Sequence, residues 1–131
     1  MATIVKDIRV AASSAAAWDA IRDVGAPHTR LVPGFAVDAR LEDGVRTVTF
    51  ANGMTVREPI VTLDDDARRL VWTAQGGRTI HYNASLTVVA DGDGTLVRWV
   101  ADFLPDEMIG VIEAAMTAGA QAMLRALGGR H

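Results

Sequence analysis

The sequence predicts an α+β fold: a seven-stranded curved antiparallel sheet wrapped around a long C-terminal helix, with two short helices after strand 1. Three observations predict it. Strand and turn signals run without a break from Phe35 to Phe103. The turns, chained together, bring the apolar residues of six strands onto one face. A long segment with an isoleucine and methionine stripe follows directly. A concave sheet that ends in one long helix buries that helix in its hollow. Small residues at Ala39, Ala84, Ala101 and Gly119 leave space there for a guest.

The elements follow in order. Ile4, Ile8 and Val10 alternate with Val5, Asp7 and Arg9, which reads as a strand over residues 2–11. Ser13-Ser14 offers an N-cap hydroxyl for free backbone N–H groups. A helix then runs from Ala15 to Val24, with Ala17, Trp18 and Ile21 on one stripe. Gly25 and Pro27 end it, and residues 26–32 form a second short helix closed by Pro33-Gly34.

Asp43-Gly44 and Asn52-Gly53 are two-residue hairpin signals, because such turns need positive φ at both central positions. Asp91-Gly92-Asp93-Gly94 is a four-residue turn, and Asp64 to Ala67 and Gln75 to Thr79 are looser ones. From the last turn backwards, Leu86 faces Trp99, Ala84 faces Ala101 and Tyr82 faces Phe103. Tyr82 then meets Trp72, Ala84 meets Leu70, Leu70 meets Leu63 and Trp72 meets Val61. Across the remaining turns, Pro59 faces Arg46, Arg57 faces Val48, Thr55 faces Phe50, Val48 faces Ala39 and Phe50 faces Val37. Side chains alternate faces along a strand, so all of these point inward. Glu58, His81, Asn83, Arg98 and Asp102 fall on the outer face. Pro105-Asp106-Glu107 starts the last helix, whose stripe is Ile109, Ile112, Met116, Ala120, Met123 and Leu127.

Composition bounds the function. A chain of 131 residues fits one domain over 1–131, and 50% hydrophobic content supports a sizeable core. The net charge of −3 is spread without a basic stripe, which argues against nucleic acid. There is no cysteine, no phosphate loop, no dinucleotide fingerprint and no pair of histidines at ligand spacing, so neither a cofactor nor a metal is expected. Charges at Lys6 and Asp7 interrupt any leader-like apolar run, and no run is long enough to span a bilayer. The expectation is a cytoplasmic protein without stable membrane insertion.

Several residues together carry a family likeness: Trp18, Pro33-Gly34, Val45-Arg46-Thr47-Val48, Asn52-Gly53, Arg57-Glu58, Leu63-Asp64, Arg69-Leu70-Val71-Trp72, Tyr82, and Thr95-Leu96-Val97-Arg98-Trp99 with Phe103. With these the chain resembles the START-like, or SRPBCC, superfamily, in its polyketide cyclase/dehydrase and lipid-transport branch. The resemblance covers essentially the whole chain. It implies the helix-grip fold, with a deep cavity between sheet and helix. It also implies small hydrophobic guests, whether lipids, hormones, polyketides or aromatic metabolites, and cyclase or aromatase activity in some members.

The candidate ligand-binding residues are Arg46, Val48, Phe50, Arg57, Val61, Trp72, Tyr82, Leu86, Trp99, Ala101, Ile112, Met116 and Met123. Methionines make an adaptable wall for an apolar guest. Arg46 and Arg57 either pair with Glu58 through a strand irregularity or anchor a carboxylate or phenolate on the guest. Tyr82, Arg57 and His28 are the candidates for moving protons, and His81 is assigned to the outer surface. The aspartates at 64–66 and 91–93 are read as turns rather than calcium ligands.

Three functions fit. The first is binding of a small hydrophobic molecule, lipid-like or aromatic, in the cavity. The second is a cyclase- or dehydratase-type enzyme, which needs a convergent acid–base pair inside the cavity. The third is a protein-interaction module, with a filled cavity and an outer patch of Ile60, Val71 and Val100 that would also serve a homodimer.

Overall fold

The computed structural model describes residues 1–129. β1 (Ala2–Val10) leads into α1 (Ser14–Arg22) and the single turn α2 (Pro27–Arg30). Six strands follow: β2 (Ala36–Glu42), β3 (Val45–Phe50), β4 (Thr55–Asp64), β5 (Arg69–Thr73), β6 (His81–Asp91) and β7 (Gly94–Leu104). A 3₁₀ turn (Asp106–Met108) opens into α3 (Ile109–Leu127). All pairings are antiparallel, in the order β1-β7-β6-β5-β4-β3-β2. The curved sheet with its terminal helix is the helix-grip arrangement that the sequence predicts.

Local chemistry places the elements. The Ser13 hydroxyl accepts the Ala16 N–H at 3.1 Å and caps α1. Trp18 and Ile21 turn into the core, and the Trp18 indole donates to Asp65 at 2.9 Å. Arg22 adds a two-pronged contact to the same carboxylate, so α1 is tied to the β4–β5 turn. Asp64 accepts the N–H groups of Asp66 and Ala67, which accounts for that aspartate run as turn chemistry. Fully buried Thr95 donates to the Ala12 carbonyl and holds the β1–α1 connection against β7.

The β6–β7 register is as predicted, including Tyr82 opposite Phe103 and Leu86 opposite Trp99. Elsewhere the ladder departs from the prediction. β5 is displaced by two residues along β6, so Trp72 faces Ala84 and Leu70 faces Leu86; an even shift leaves every face unchanged. β3 and β4 are offset by one residue. Arg46 lies opposite Glu58, and Val48 opposite Val56. The cause is a longer connection than the Asn52-Gly53 signal suggests. The Phe50 N–H reaches the Met54 carbonyl at 2.8 Å, and the Asn52 side chain accepts the Met54 N–H.

An odd shift reverses faces, so Arg57 points outward and is exposed, while Glu58 and Val56 turn inward and are buried. A bulge between Ile60 and Thr62 restores the parity, and Leu63 meets Leu70 as predicted. The bulge puts Val61 outside, 59% exposed, and leaves Ile60 packed against the core instead of on an outer patch. A second irregularity, between Ala36 and Asp38, turns Val37 outward.

α3 buries Ile112, Met116, Gly119, Ala122 and Met123, while Ile109 is exposed. It packs tightly at Gly119, where a Cβ would lie 2.8 Å from two ring carbons of Trp99 and 3.3 Å from Phe35. Lys6 on β1 pairs with Glu113 on α3. The Ala12 N–H takes the Leu127 carbonyl at the far end. Gly119→Ala gains about 1 kcal/mol in helix propensity, but crowding a rigid ring costs about 1–3 kcal/mol. The expected result is a lower urea midpoint with an unchanged slope. A raised midpoint would mean that the helix moves freely off Trp99.

Candidate ligand-binding site

Between the sheet and α3 lies a cavity of about 370 Å³. Its floor comes from alternate positions on β3 to β7: Arg46, Val48, Val56, Glu58, Trp72, Tyr82, Leu86 and Trp99. α3 supplies Ile112, Met116 and Met123, and Leu31, Val32 and Phe35 close one side. Val111 and Ala115 line the cavity yet are exposed, so it reaches the surface beside the first turns of α3. The rest of the mouth is framed by the loops that hold Met54 and Gly76 to Thr79. Gly77 takes φ 81°, a backbone conformation that side-chain-bearing residues rarely adopt, and packs beside the Met54 methyl.

Of the predicted ligand-binding residues, ten line this space: Arg46, Val48, Phe50, Trp72, Tyr82, Leu86, Trp99, Ile112, Met116 and Met123. Three do not. Arg57 is turned out by the one-residue offset of β4, and Val61 by the bulge. Ala101 is fully buried, but it is packed in the ladder between Ala84 and Ile4 rather than open to the cavity. His28 is half-buried on α2 and outside the lining, its Nδ1 buried without a hydrogen bond. His81 is exposed on the outer face, bonded to Asn83 at 2.7 Å.

Among the residues of the site, the one that the predicted registers leave outside and the structure brings in is Glu58. Arg46 Nε donates to Glu58 Oε1 at 2.7 Å, and the two residues are 5% and 8% exposed. The guanidinium carbon lies 4.9 Å from the Trp72 ring centroid, within cation–π range. Among the described residues Glu58 is the one hydrogen-bond partner of Arg46. A criterion available in the sequence could have found the pair. The predicted register puts two arginines and no acid inside, whereas a one-residue shift gives one arginine opposite one glutamate.

Burial pushes the Glu58 carboxyl above the ordinary carboxylate range, against the pull of Arg46 and a hydrogen bond from Trp72. Burial also pushes the Tyr82 phenol up, helped by the negative charge of Glu58, so Tyr82 stays protonated and available as a donor. The Trp99 indole N–H is buried without a partner. The cavity walls are mainly apolar; Arg46, Glu58 and Tyr82 make a polar corner inside, and Asn52, Arg78 and Thr79 lie along the loops at the mouth. No group of three or more metal-ligating side chains occurs among the described residues.

A family model described as polyketide cyclase/dehydrase and lipid transport matches residues 1–130. Solved structures share the fold. The protein XoxI from Bacillus cereus superposes with a TM-score of 0.86 at 19% identity, over 97% of this chain and 96% of that one. A protein from Thermobifida fusca gives 0.74 at 28% identity, over 100% and 99%. Truncated norcoclaurine synthase from Thalictrum flavum gives 0.71 at 18% identity, over 98% and 95%. A comparison with curated proteins found no match.

The corner has a testable energetic signature. Arg46→Met strands a buried carboxylate and is expected to lower the unfolding free energy by about 3–5 kcal/mol at neutral pH. The double variant Arg46→Met/Glu58→Gln removes both charges and should lose less than half of that. In the single variant the deficit should shrink as pH falls. A carboxyl whose folded-state pKa is raised favours the fold below its unfolded value of about 4.3 and loses that contribution as pH rises through the folded value. Urea titrations at two pH values check all three; a double variant as unstable as the single would show that the two charges are not coupled.

Proposed function

The chain belongs to the polyketide cyclase/dehydrase and lipid-transport family, and we propose that it binds a small, mainly apolar molecule in the cavity between the sheet and α3. The observation that carries this reading is a mainly apolar hollow between sheet and helix with a buried polar corner of Arg46, Glu58 and Tyr82. Small-molecule sites have this composition: hydrophobic walls exclude water, and a few convergent polar groups fix orientation. A volume of about 370 Å³ lies near the lower end of the usual range for such sites. It suits a one-chain or one- to two-ring molecule better than a two-chain lipid. Met116 and Met123 give the helix side of the wall its adaptability. An interaction module with a filled cavity is the weaker reading, because the hollow is open and Ile60 packs against the core.

The test is binding of phenylnaphthylamine, a neutral apolar dye that brightens on leaving water. Wild-type protein is expected to bind it saturably. Ala115→Trp sets an indole at the mouth, on an exposed helix position where substitution costs little. It should weaken binding by about tenfold, roughly 1.4 kcal/mol, with an unchanged melting temperature. No binding to the wild type, or equal binding to the variant, would remove the cavity from the function.

One observation favours a second reading, an enzyme of the cyclase or dehydratase type. Glu58 and Tyr82 supply the convergent acid–base pair that such chemistry needs. The Glu58 carboxylate would take a proton from a carbon beside a carbonyl, while Arg46 and Tyr82 hold the oxygen as it gains charge. Deuterium exchange into cyclohexanone in heavy water, followed by proton NMR, tests the step without knowledge of the substrate. Exchange catalysed by the wild type and abolished in Glu58→Gln is expected on this reading. Equal exchange in the two proteins would end it.

A further inference from the structure

We infer that the guest is a monocarboxylate with one apolar chain or a small ring system, held as its anion by Arg46, and that its entry is accompanied by proton uptake at Glu58. This rests on the binding reading above and deepens it. The first support is an imbalance of donors and acceptors. Arg46 spends Nε on Glu58, and its remaining N–H groups have no protein partner among the described residues. The Tyr82 hydroxyl, on the same cavity wall, makes no hydrogen bond to a described residue. Against these donors stands one acceptor, the Glu58 carboxyl. A guest carboxylate brings two oxygens with about four lone-pair sites, twice what a ketone or alcohol oxygen offers. A cationic guest would meet Arg46 and a row of donors.

The second support is the local charge. Arg46 and Glu58 neutralise each other. A guest anion beside Arg46 would sit next to a second carboxylate in an apolar hollow, where two like charges cannot both persist. The least costly answer is for Glu58 to take a proton, which burial already favours, and to become a hydroxyl donor to the guest. Every neighbour is consistent with this. β3 presents Arg46, β5 presents Trp72 and β6 presents Tyr82. The α3 residues on the cavity wall are all uncharged, and Arg78 stands at the mouth. The sign follows: the bound form holds the Glu58 proton more tightly than the free form. Affinity for the anion therefore falls as pH rises through the interval between the two pKa values.

The probes are decanoate and decanol, which share a chain and differ in the head. Binding is followed by isothermal titration above the ionisation range of the free acid, in two buffers of different ionisation enthalpy. Wild-type protein is expected to bind decanoate at least about tenfold more tightly than decanol, with net proton uptake approaching one per site. Glu58→Gln should keep the preference for the acid, since an amide also donates, and should lose the proton uptake. Arg46→Met/Glu58→Gln, which removes both charges and so avoids a stranded one, should bind the two probes alike. Equal affinity of the wild type for both probes, or a preference for the acid that survives in the double variant, overturns the inference and leaves the binding reading intact. Binding of the acid without proton uptake overturns the role of Glu58. If neither probe binds a protein that is folded by circular dichroism, the binding reading itself fails.

Discussion

A charge buried in an apolar hollow needs a partner, and much of this sheet is arranged around that constraint. Arg46 points inward from β3 with 5% exposure. If β4 ran in the register of a tight Asn52-Gly53 hairpin, Arg46 would face Pro59, Arg57 would join it inside, and Glu58 would lie in solvent. Each unpaired buried ion costs several kcal/mol. An extra residue in a surface connection costs well under one. The connection therefore lengthens, with the Asn52 side chain and the Phe50–Met54 hydrogen bond satisfying its backbone, and Glu58 comes round to Arg46. The bulge at Val61 then returns the strand to the phase that Leu63 and Leu70 require.

This explains which parts of the structure were legible in the sequence. Strands with long alternating runs and a sharp turn, β6 and β7 above all, declare their register directly. The N-cap at Ser13 and the stripe of α3 are equally local signals. The error on β4 arose from two irregularities of opposite sense. The longer loop shifts the phase by one residue and the bulge shifts it back, so the ladder agrees with expectation on either side and hides the reversal between. Agreement of the outer registers was not a guarantee of the inner one. For the same reason the site was legible in its apolar part and not in its chemistry. Val48, Trp72, Tyr82, Leu86 and Met116 lie on faces fixed by the unambiguous strands and helix, while Glu58 and Arg57 lie within the reversed segment.

The origin of the cavity also differs from the simplest expectation. Small residues on the sheet were expected to leave the space. Ala84 and Ala101 instead pair with each other, both fully buried and neither on the cavity wall. The space arises because α3 touches down on the β1–β7 side and at one point on the ring of Trp99. Gly119 permits that contact, so of the small residues singled out it is the one that shapes the hollow, by letting the helix come close rather than by leaving a gap. The surface over β3 to β6 is then roofed by methionine, isoleucine and the loops at the mouth.

The Arg46–Glu58 pair is a poor candidate for a stability device. Replacing a buried ion pair by apolar residues of similar volume is often neutral or favourable, and nothing in the hold of the sheet on α3 passes through it. That hold rests on the buried apolar face of α3, with Gly119 against Trp99, and is supplemented by Lys6 with Glu113 and the link from Ala12 to Leu127. Grip and polar corner are thus carried by separate residues. A corner whose donors the protein leaves partly uncommitted accords with the proposed role in selecting the guest. The charge of Arg46 is tolerated in the cavity because Glu58 covers it, and on the proposed reading Glu58 gives up its own charge when a guest anion takes its place.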